Sequence, residues 1–191
     1  MTWPALSLAE AHARLTAPGA PFETVEATIA GVPMRVWKHA PATAAEAFAA
    51  ARTWGRREFL VLGSERVTYD DFCRAALNLA AAMEARGLRK GDRVALVMRN
   101  LPEWPVVFMA GLLAGAVMVP LNARWTENEL AHGVLDSGAR FIFADAERLS
   151  RLTDLPPAVE HVFVARAADR PAGVTLLEDL IGTPSRWRDL P

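Results

Sequence analysis

The sequence predicts an α/β fold: a three-layer sandwich with a mainly parallel sheet and helices on both faces, plus a small β-hairpin and an irregular amino-terminal extension. Three observations carry that expectation. First, four short apolar runs, Arg93–Met98, Ala116–Val119, Arg140–Ala144 and His161–Ala165, show little polar alternation, as parallel strands do when both faces are covered. Second, from residue 93 onward helical and strand patterns alternate, the order of a doubly wound sheet with right-handed crossovers. Third, helix starts are marked by capping boxes, in which an acceptor at the N-cap and an acid three residues on satisfy orphan backbone donors.

The elements follow in order. Capping boxes stand at Ser7/Glu10, Thr43/Glu46, Asn100/Glu103 and Thr126/Glu129, with an Asp version at Thr68/Asp71. Phe22 to Trp37 alternates loosely and reads as two edge strands around Gly31-Val-Pro33. Phe59–Leu62 and Glu65–Thr68 flank Gly63-Ser64 and read as a β-hairpin. In the Thr68 helix Phe72, Ala76, Leu79 and Met83 line one face, and Gly87 stands at a C-cap position. In the Thr126 helix Leu130, Val134 and Leu135 form the stripe, and Gly138 ends it. After Arg166 the composition turns to Ala, Asp, Pro and Gly, followed by a helix-like Leu176 to Ile181 and a Pro/Arg-rich end. This divides the chain into an extension over 1–42 and a domain over 43–191.

Composition excludes several functions. The 191 residues suit one domain, or one with a short appendage. Lys plus Arg number 21 against 22 Asp plus Glu, a net charge of −1, so nothing favours a nucleic-acid partner. A 52% hydrophobic and 23% charged composition describes a globular chain with ample core. Cys73 is the only cysteine, which rules out an intrachain disulfide and suits a reducing compartment. Met-Thr-Trp-Pro-Ala has no cationic or apolar leader character, so the cytoplasm is the default.

Chemical signatures are sparse. GxGxxG, GxxxxGK[ST], HExxH and GxSxG are absent from the sequence. His12, His39, His132 and His161 share no ligand spacing, and Cys73 beside Phe72 reads as a small hydrophobe. The six tryptophans are far apart and read as core or interface anchors. No catalytic or metal-ligating residue is assigned. Trp104 to Leu121 is 18 residues without a charge, at the lower limit for a membrane span. Gly111, Gly115 and Pro120 instead break it into a buried helix (Leu101 to Ala114) and a buried strand, so no integral span is expected.

Six pieces now stand in order: Val67-Thr-Tyr-Asp-Asp-Phe72, Gly87-Leu-Arg-Lys-Gly-Asp-Arg-Val-Ala-Leu96, Asn100-Leu-Pro-Glu-Trp104, Gly111 to Asn122, Thr126-Glu-Asn-Glu-Leu130 and Asp136-Ser-Gly-Ala-Arg-Phe141. Their order and spacing resemble the amino-terminal part of the AMP-forming acyl-CoA synthetases, members of the adenylate-forming superfamily, over roughly residues 43 to 165. The resemblance implies two steps. A carboxylate oxygen attacks the α-phosphorus of ATP, giving an acyl-adenylate and pyrophosphate; the CoA thiolate then displaces AMP to give the thioester. It implies ATP, Mg²⁺ and CoA as cofactors of a longer parent and a carboxylic, fatty or similar, acid as substrate, none of them expected to bind tightly to residues 1–191 alone.

The family's Ser/Thr/Gly-rich phosphate loop ending in Pro-Lys is expected after the region where this sequence stops. Gly182-Thr-Pro-Ser185 lacks its repeated hydroxyls, second glycine and lysine, so the chain by itself is expected to be inactive. A non-catalytic α/β module that dimerises or binds a partner is the alternative. One residue draws a binding role. Arg124, in Pro120-Leu-Asn-Ala-Arg-Trp125, follows a buried strand and precedes a capped helix, where ligands collect and a helix field favours anions. The resemblance implies that it reaches a phosphate of CoA; a solvated arginine beside Trp125, with its ring available for stacking, is the plainer reading.

Overall fold

The computed structural model describes residues 5–183 and Trp187. The opening Met-Thr-Trp-Pro and the rest of the Pro/Arg-rich end lie outside the described residues. The chain forms two units, Met1–Thr43 and Ala44–Pro191.

In the first unit α1 (Leu8–Thr16) starts at the Ser7 capping box: the Ser7 hydroxyl accepts the Glu10 N–H at 3.2 Å and Glu10 accepts the Ser7 N–H at 2.9 Å. Strands β1 (Thr24–Ile29) and β2 (Val32–Trp37) pair antiparallel in a sheet of their own, Ile29 opposite Val32. Their turn is Ala30-Gly31, at φ +49° and +82°, the left-handed pair that a tight hairpin needs. The turn thus falls one residue before the expected Gly31-Val-Pro33. Pro33 lies inside β2 opposite Thr28, which a two-stranded ribbon tolerates because every strand in it is an edge.

The second unit runs α2 (Ala44–Ala51), a 3₁₀ turn (Arg52–Trp54), β3 (Glu58–Leu62), β4 (Glu65–Thr68), α3 (Tyr69–Glu84), β5 (Arg93–Val97), α4 (Glu103–Leu113), β6 (Val117–Pro120), α5 (Glu127–Ser137), β7 (Phe141–Asp145), α6 (Ala146–Leu149), β8 (His161–Ala165), β9 (Thr175–Leu176) and α7 (Glu178–Ile181). β3 and β4 form the expected hairpin. The main sheet has the order β6-β5-β7-β8-β9, with every neighbouring pair parallel. The four expected strands are present; of the expected helix from Leu176 to Ile181, Leu176 instead closes the two-residue β9 and Glu178–Ile181 form α7.

The pleat sends alternate residues to two cores. Val94, Leu96, Phe141, Phe143 and Phe163 face the helices α2, α3, α4 and α7, where Phe72, Leu79 and Met83 of α3 are buried. Ala95, Val97, Ile142 and Ala144 face α5, meeting Leu130 and Val134. Phe143 and Phe163 stack at 4.4 Å, a pairing worth about 1 kcal/mol beyond burial. This is the three-layer sandwich of the sequence reading.

Helix ends follow their residues. At the start of α3 the Asp71 carboxylate accepts the Thr68 hydroxyl at 2.6 Å, and the Thr68 hydroxyl accepts the Asp71 N–H at 3.2 Å. At its end the N–H groups of Leu88 and Gly87 return to Met83 and Glu84, with Gly87 at φ +88°, the Schellman closure. Two expectations are corrected. Leu135 is 64% exposed, because five residues past Leu130 is 140° around the helix; the inner face of α5 instead carries Gly133, where an added Cβ would meet Trp125 at 3.0 Å and Leu121 at 3.1 Å.

The second correction is Asn100/Glu103. α4 starts at Glu103 with Pro102 as N-cap and no side-chain cap bond; Glu103 turns inward instead. The apolar stretch from Trp104 to Leu121 is α4, a turn at Gly115 and β6. Among the described residues no helix is long and apolar enough to cross a membrane.

Candidate functional site

In an open α/β sheet ligands gather outside the strand carboxyl ends, near the point where strand order reverses. Here that point lies between β5 and β7. Asp145, the last residue of β7, is 5% exposed and bridges it. Its Oδ2 accepts the backbone N–H of Arg99, just past β5, at 2.9 Å. Its Oδ1 accepts the Arg148 N–H at 2.9 Å as the N-cap of α6 and lies 3.4 Å from the Arg148 guanidinium. Arg148, 6% exposed, donates from Nε to the carbonyl of Ala123 at 2.9 Å. Arg151 donates to the carbonyl of Trp125 at 3.2 Å. One buried carboxylate and two arginines therefore fasten the loops that leave β5 and β6.

A cleft of about 930 Å³ opens over the carboxyl ends of β5 and β6. Arg99, Asn100, Trp104, Asn122, Arg124 and Arg148 contribute to its wall, which includes no carboxylate residue. Arg148 is neutralised by Asp145 and Glu147. Arg99 and Arg124 are exposed and, among the described residues, neither has an ion-pair partner. The cleft wall is thus cationic, and the start of α5 adds partial positive charge. That helix begins where expected: the Glu129 carboxylate accepts the N–H and hydroxyl of Thr126 at 2.7 and 2.9 Å, which hold it below its ordinary pKa.

The structure places Arg124 on the loop predicted for it. Its backbone N–H donates to the Asn122 side chain at 2.9 Å, a local turn that presents the guanidinium outward. Arg124 is exposed, as the solvated reading has it; among the described residues it lies over no ring, and Trp125 packs toward Gly133. Sequence reasoning missed Arg99, although a cation just past a buried strand carries the same positional signal as Arg124. The supports Asp145 and Arg148 were also missed; their contacts span 46 and 25 residues.

A second polar cluster lies at the end of β8. Arg166, at φ +56°, forks onto Glu65 at 2.9 and 2.7 Å and donates from Nε to Glu103 Oε1 at 2.9 Å. Its backbone N–H donates to Glu178 at 2.6 Å. Glu103 is 1% exposed, and burial pushes its carboxyl pKa up despite the Arg166 charge. Glu65 and then Glu103 raise the pKa of the guanidinium. Four elements, β4, α4, β8 and α7, meet on this arginine.

The remaining sequence candidates sit in structural settings. His161 lies at the core edge, its Nε2 3.1 Å from the Arg86 carbonyl and its ring 4.8 Å from Phe141. Cys73 is buried, and burial pushes its thiol pKa up, away from nucleophilic character. Among the described residues no group of three or more His, Cys, Asp and Glu could hold a metal ion.

Comparison with known proteins places this geometry in a family. The long-chain-fatty-acid–CoA ligase of Escherichia coli O6:H1 is 40% identical over 94 residues, 48% of this chain and 17% of that protein. The 3-hydroxybenzoate–CoA ligase of Aromatoleum sp. (strain CIB) is 30% identical over 131 residues, 65% of this chain and 24% of that protein. These matches span under a quarter of each relative's length. Among solved structures, the Mycobacterium tuberculosis fatty acyl CoA synthetase superposes with a TM-score of 0.58 at 29% identity, covering 69% of this chain and 30% of that one. The coronafacic acid ligase of Pectobacterium brasiliense reaches 0.67 at 18% identity, over 75% and 30%, a likeness of fold alone. The family described as AMP-binding enzyme matches residues 47–183, and the chain belongs to that family.

Proposed function

We propose that this chain is the amino-terminal portion of an ATP-dependent fatty-acyl-CoA synthetase and that its cleft receives a phosphate of CoA. The carrying observation is a pair of exposed arginines, Arg99 and Arg124, whose side chains have no ion-pair partner among the described residues, in a cleft wall without a carboxylate residue at the carboxyl ends of β5 and β6. A CoA phosphate is an anion of this chemistry that such a wall suits: charge-assisted hydrogen bonds from guanidinium groups to phosphate oxygens are the strong kind. The likeness to long-chain-fatty-acid–CoA ligases over the same region supports a fatty acid as the acyl donor.

In this reading the chain supplies binding and orientation to the second half-reaction. Arg124 and Arg99 hold the nucleotide end of CoA while its thiolate displaces AMP from the acyl-adenylate. Asp145 and Arg148 hold the two loops in place. ATP and Mg²⁺ serve the first half-reaction, which these 191 residues do not carry out alone, since they contain no Ser/Thr/Gly-rich loop ending in Pro-Lys to cradle the phosphates. The test is a panel of acids given to the full-length protein that contains this chain. ATP–pyrophosphate exchange and thioester formation are expected with hexadecanoate, and with the isolated 191 residues neither. Exchange driven by hydroxybenzoates alone overturns the fatty-acyl assignment; exchange by the isolated chain overturns its inactivity.

A further inference from the structure

Among the described residues Glu103 Oε2 is buried and has no hydrogen-bond partner, in a residue only 1% exposed. Its companion Oε1 is taken by Arg166 Nε at 2.9 Å. Ionised, Oε2 lacks a donor; protonated, it lacks an acceptor. Either state carries the cost of a buried polar atom left unpaired, which native folds rarely bear without an occupant.

Glu103 belongs to the wall of a cavity of about 430 Å³ at the end of β8, with Glu65, Glu178 and Arg166. A single water fills about 30 Å³, so this space admits a larger guest. Its charge is lopsided, because three carboxylates share one guanidinium. Both Glu65 oxygens accept from Arg166, at 2.9 and 2.7 Å. Glu178 Oε1 takes only the Arg166 backbone N–H, at 2.6 Å, and among the described residues Glu178 has no ion-pair partner. Burial first, and then the Glu178 charge, push the Glu103 carboxyl pKa upward, so the two acids feel each other. Nearby Arg170 is committed to Asp179. Leu176 and Ala167 add aliphatic surface to the wall.

We propose that this cavity binds a primary alkylammonium, its head shared by Glu103 Oε2 and Glu178 and its stem lying along Leu176 and Ala167. The surplus of carboxylates selects a cation. An ammonium is a compact point charge with three rotatable donors, which suits single oxygens on two different carboxylates. A guanidinium suits them less, since its planar fork matches both oxygens of one carboxylate and Glu103 offers one. Among the described residues no group of three or more His, Cys, Asp and Glu could hold a metal ion. The aliphatic wall favours an alkyl stem over free ammonium, because each buried methylene adds to binding. The same head group comes from a free amine or from a lysine side chain.

The experiment is isothermal titration calorimetry of the 191-residue chain with butylammonium and 1,4-diaminobutane. Tetramethylammonium and potassium chloride serve as cations without N–H donors. Binding is expected with the first two and not with the last two at equal ionic strength. Glu103→Gln, which keeps an acceptor for Arg166, weakens it about tenfold and Glu178→Gln about fivefold, with circular dichroism confirming that each variant is folded. Leu176→Ala weakens butylammonium more than methylammonium. Asp136→Asn, on α5, removes a carboxylate elsewhere and leaves binding unchanged. The full-length protein identifies the source: equal affinity there assigns the site to a free amine, and loss of amine binding there assigns it to a lysine of the remainder. No heat with either amine, an equal response to tetramethylammonium, or Glu103→Gln binding as tightly as the unsubstituted chain overturns the proposal and leaves Oε2 to a bridging water.

Discussion

Asp145, at the end of β7, accepts the backbone N–H of Arg99, just past β5, at 2.9 Å. The bond crosses the reversal point of the sheet and joins two loops 46 residues apart in sequence. Because the same carboxylate faces Arg148, and Arg148 holds the Ala123 carbonyl, the cleft floor behaves as one fastened piece. It has no partner to spare.

Asp145→Ala should therefore cost about 3 kcal/mol, since it leaves a buried guanidinium short of its partner and an amide without its acceptor. Asp145→Asn keeps an oxygen for the Arg99 N–H and should lose about half as much. Urea denaturation measures both, and amide exchange at Arg99 should accelerate more in the Ala variant. Equal stability of the Ala variant and the parent would show that the floor is not fastened here.

Glu103 makes stability depend on pH. Burial raises its carboxyl pKa above the ordinary 4.5, so above pH 4.5 the folded state retains a proton that the unfolded chain has lost. Stability assigned to this group is full below 4.5 and declines as pH rises through the higher folded value. Glu103→Gln keeps an acceptor for Arg166 and removes the titration. The parent should lose stability relative to that variant between pH 4.5 and 7, measured as the difference of their denaturation midpoints. Arg166→Ala, which leaves the carboxylate buried without its cation, should cost about 2–3 kcal/mol at pH 7 and less at pH 5.

The sheet was legible because its signals are local. Phe141 to Ala144 and Arg93 to Val97 announce buried strands within five residues, and Thr68 and Asp71 announce a cap within four. Glu103 shows the limit. Its spacing from Asn100 satisfies the capping pattern, but its partner Arg166 is 63 residues away, and no local period encodes that distance. The same holds for the cleft. Arg124 and Arg99 each follow a strand and could be placed from sequence, whereas Asp145 and Arg148 gain their meaning only when β7 comes to lie beside β5. Leu135 failed differently: a leucine next to Val134 invites inclusion in the stripe, while the actual packing residue, Gly133, has no side chain to be noticed.

Gly111 offers a test of the close packing between α4 and β6. A Cβ built there would collide with the Met118 sulfur, so the methionine occupies the space that a side chain would need. Gly111→Ala gains helix propensity worth about 1 kcal/mol but overpacks a filled site at a cost of about 1–3 kcal/mol. A net loss of about 1 kcal/mol is expected by thermal denaturation. Met118→Ala in the Gly111→Ala background should recover part of it, and a double-mutant cycle should show coupling. Additive effects would place the two residues out of contact.

The last expectation concerns Arg124 in the full-length protein. If its guanidinium meets a CoA phosphate, the contact forms only in the thioester half-reaction. One exposed charge-assisted contact is worth roughly 1 kcal/mol, which is about fivefold in binding. Arg124→Ala should raise KM for CoA by that factor and leave ATP–pyrophosphate exchange unchanged, because adenylation precedes CoA. Arg99→Ala should do the same, since Asp145 binds its backbone and not its side chain. Salt provides a further discriminant: KM for CoA in the parent should rise with ionic strength, and the double variant should show a flatter dependence, because the screened charges are gone. A loss of exchange activity in either variant would assign the cleft to the nucleotide of the first step, and an unaltered KM for CoA would remove Arg124 from the site.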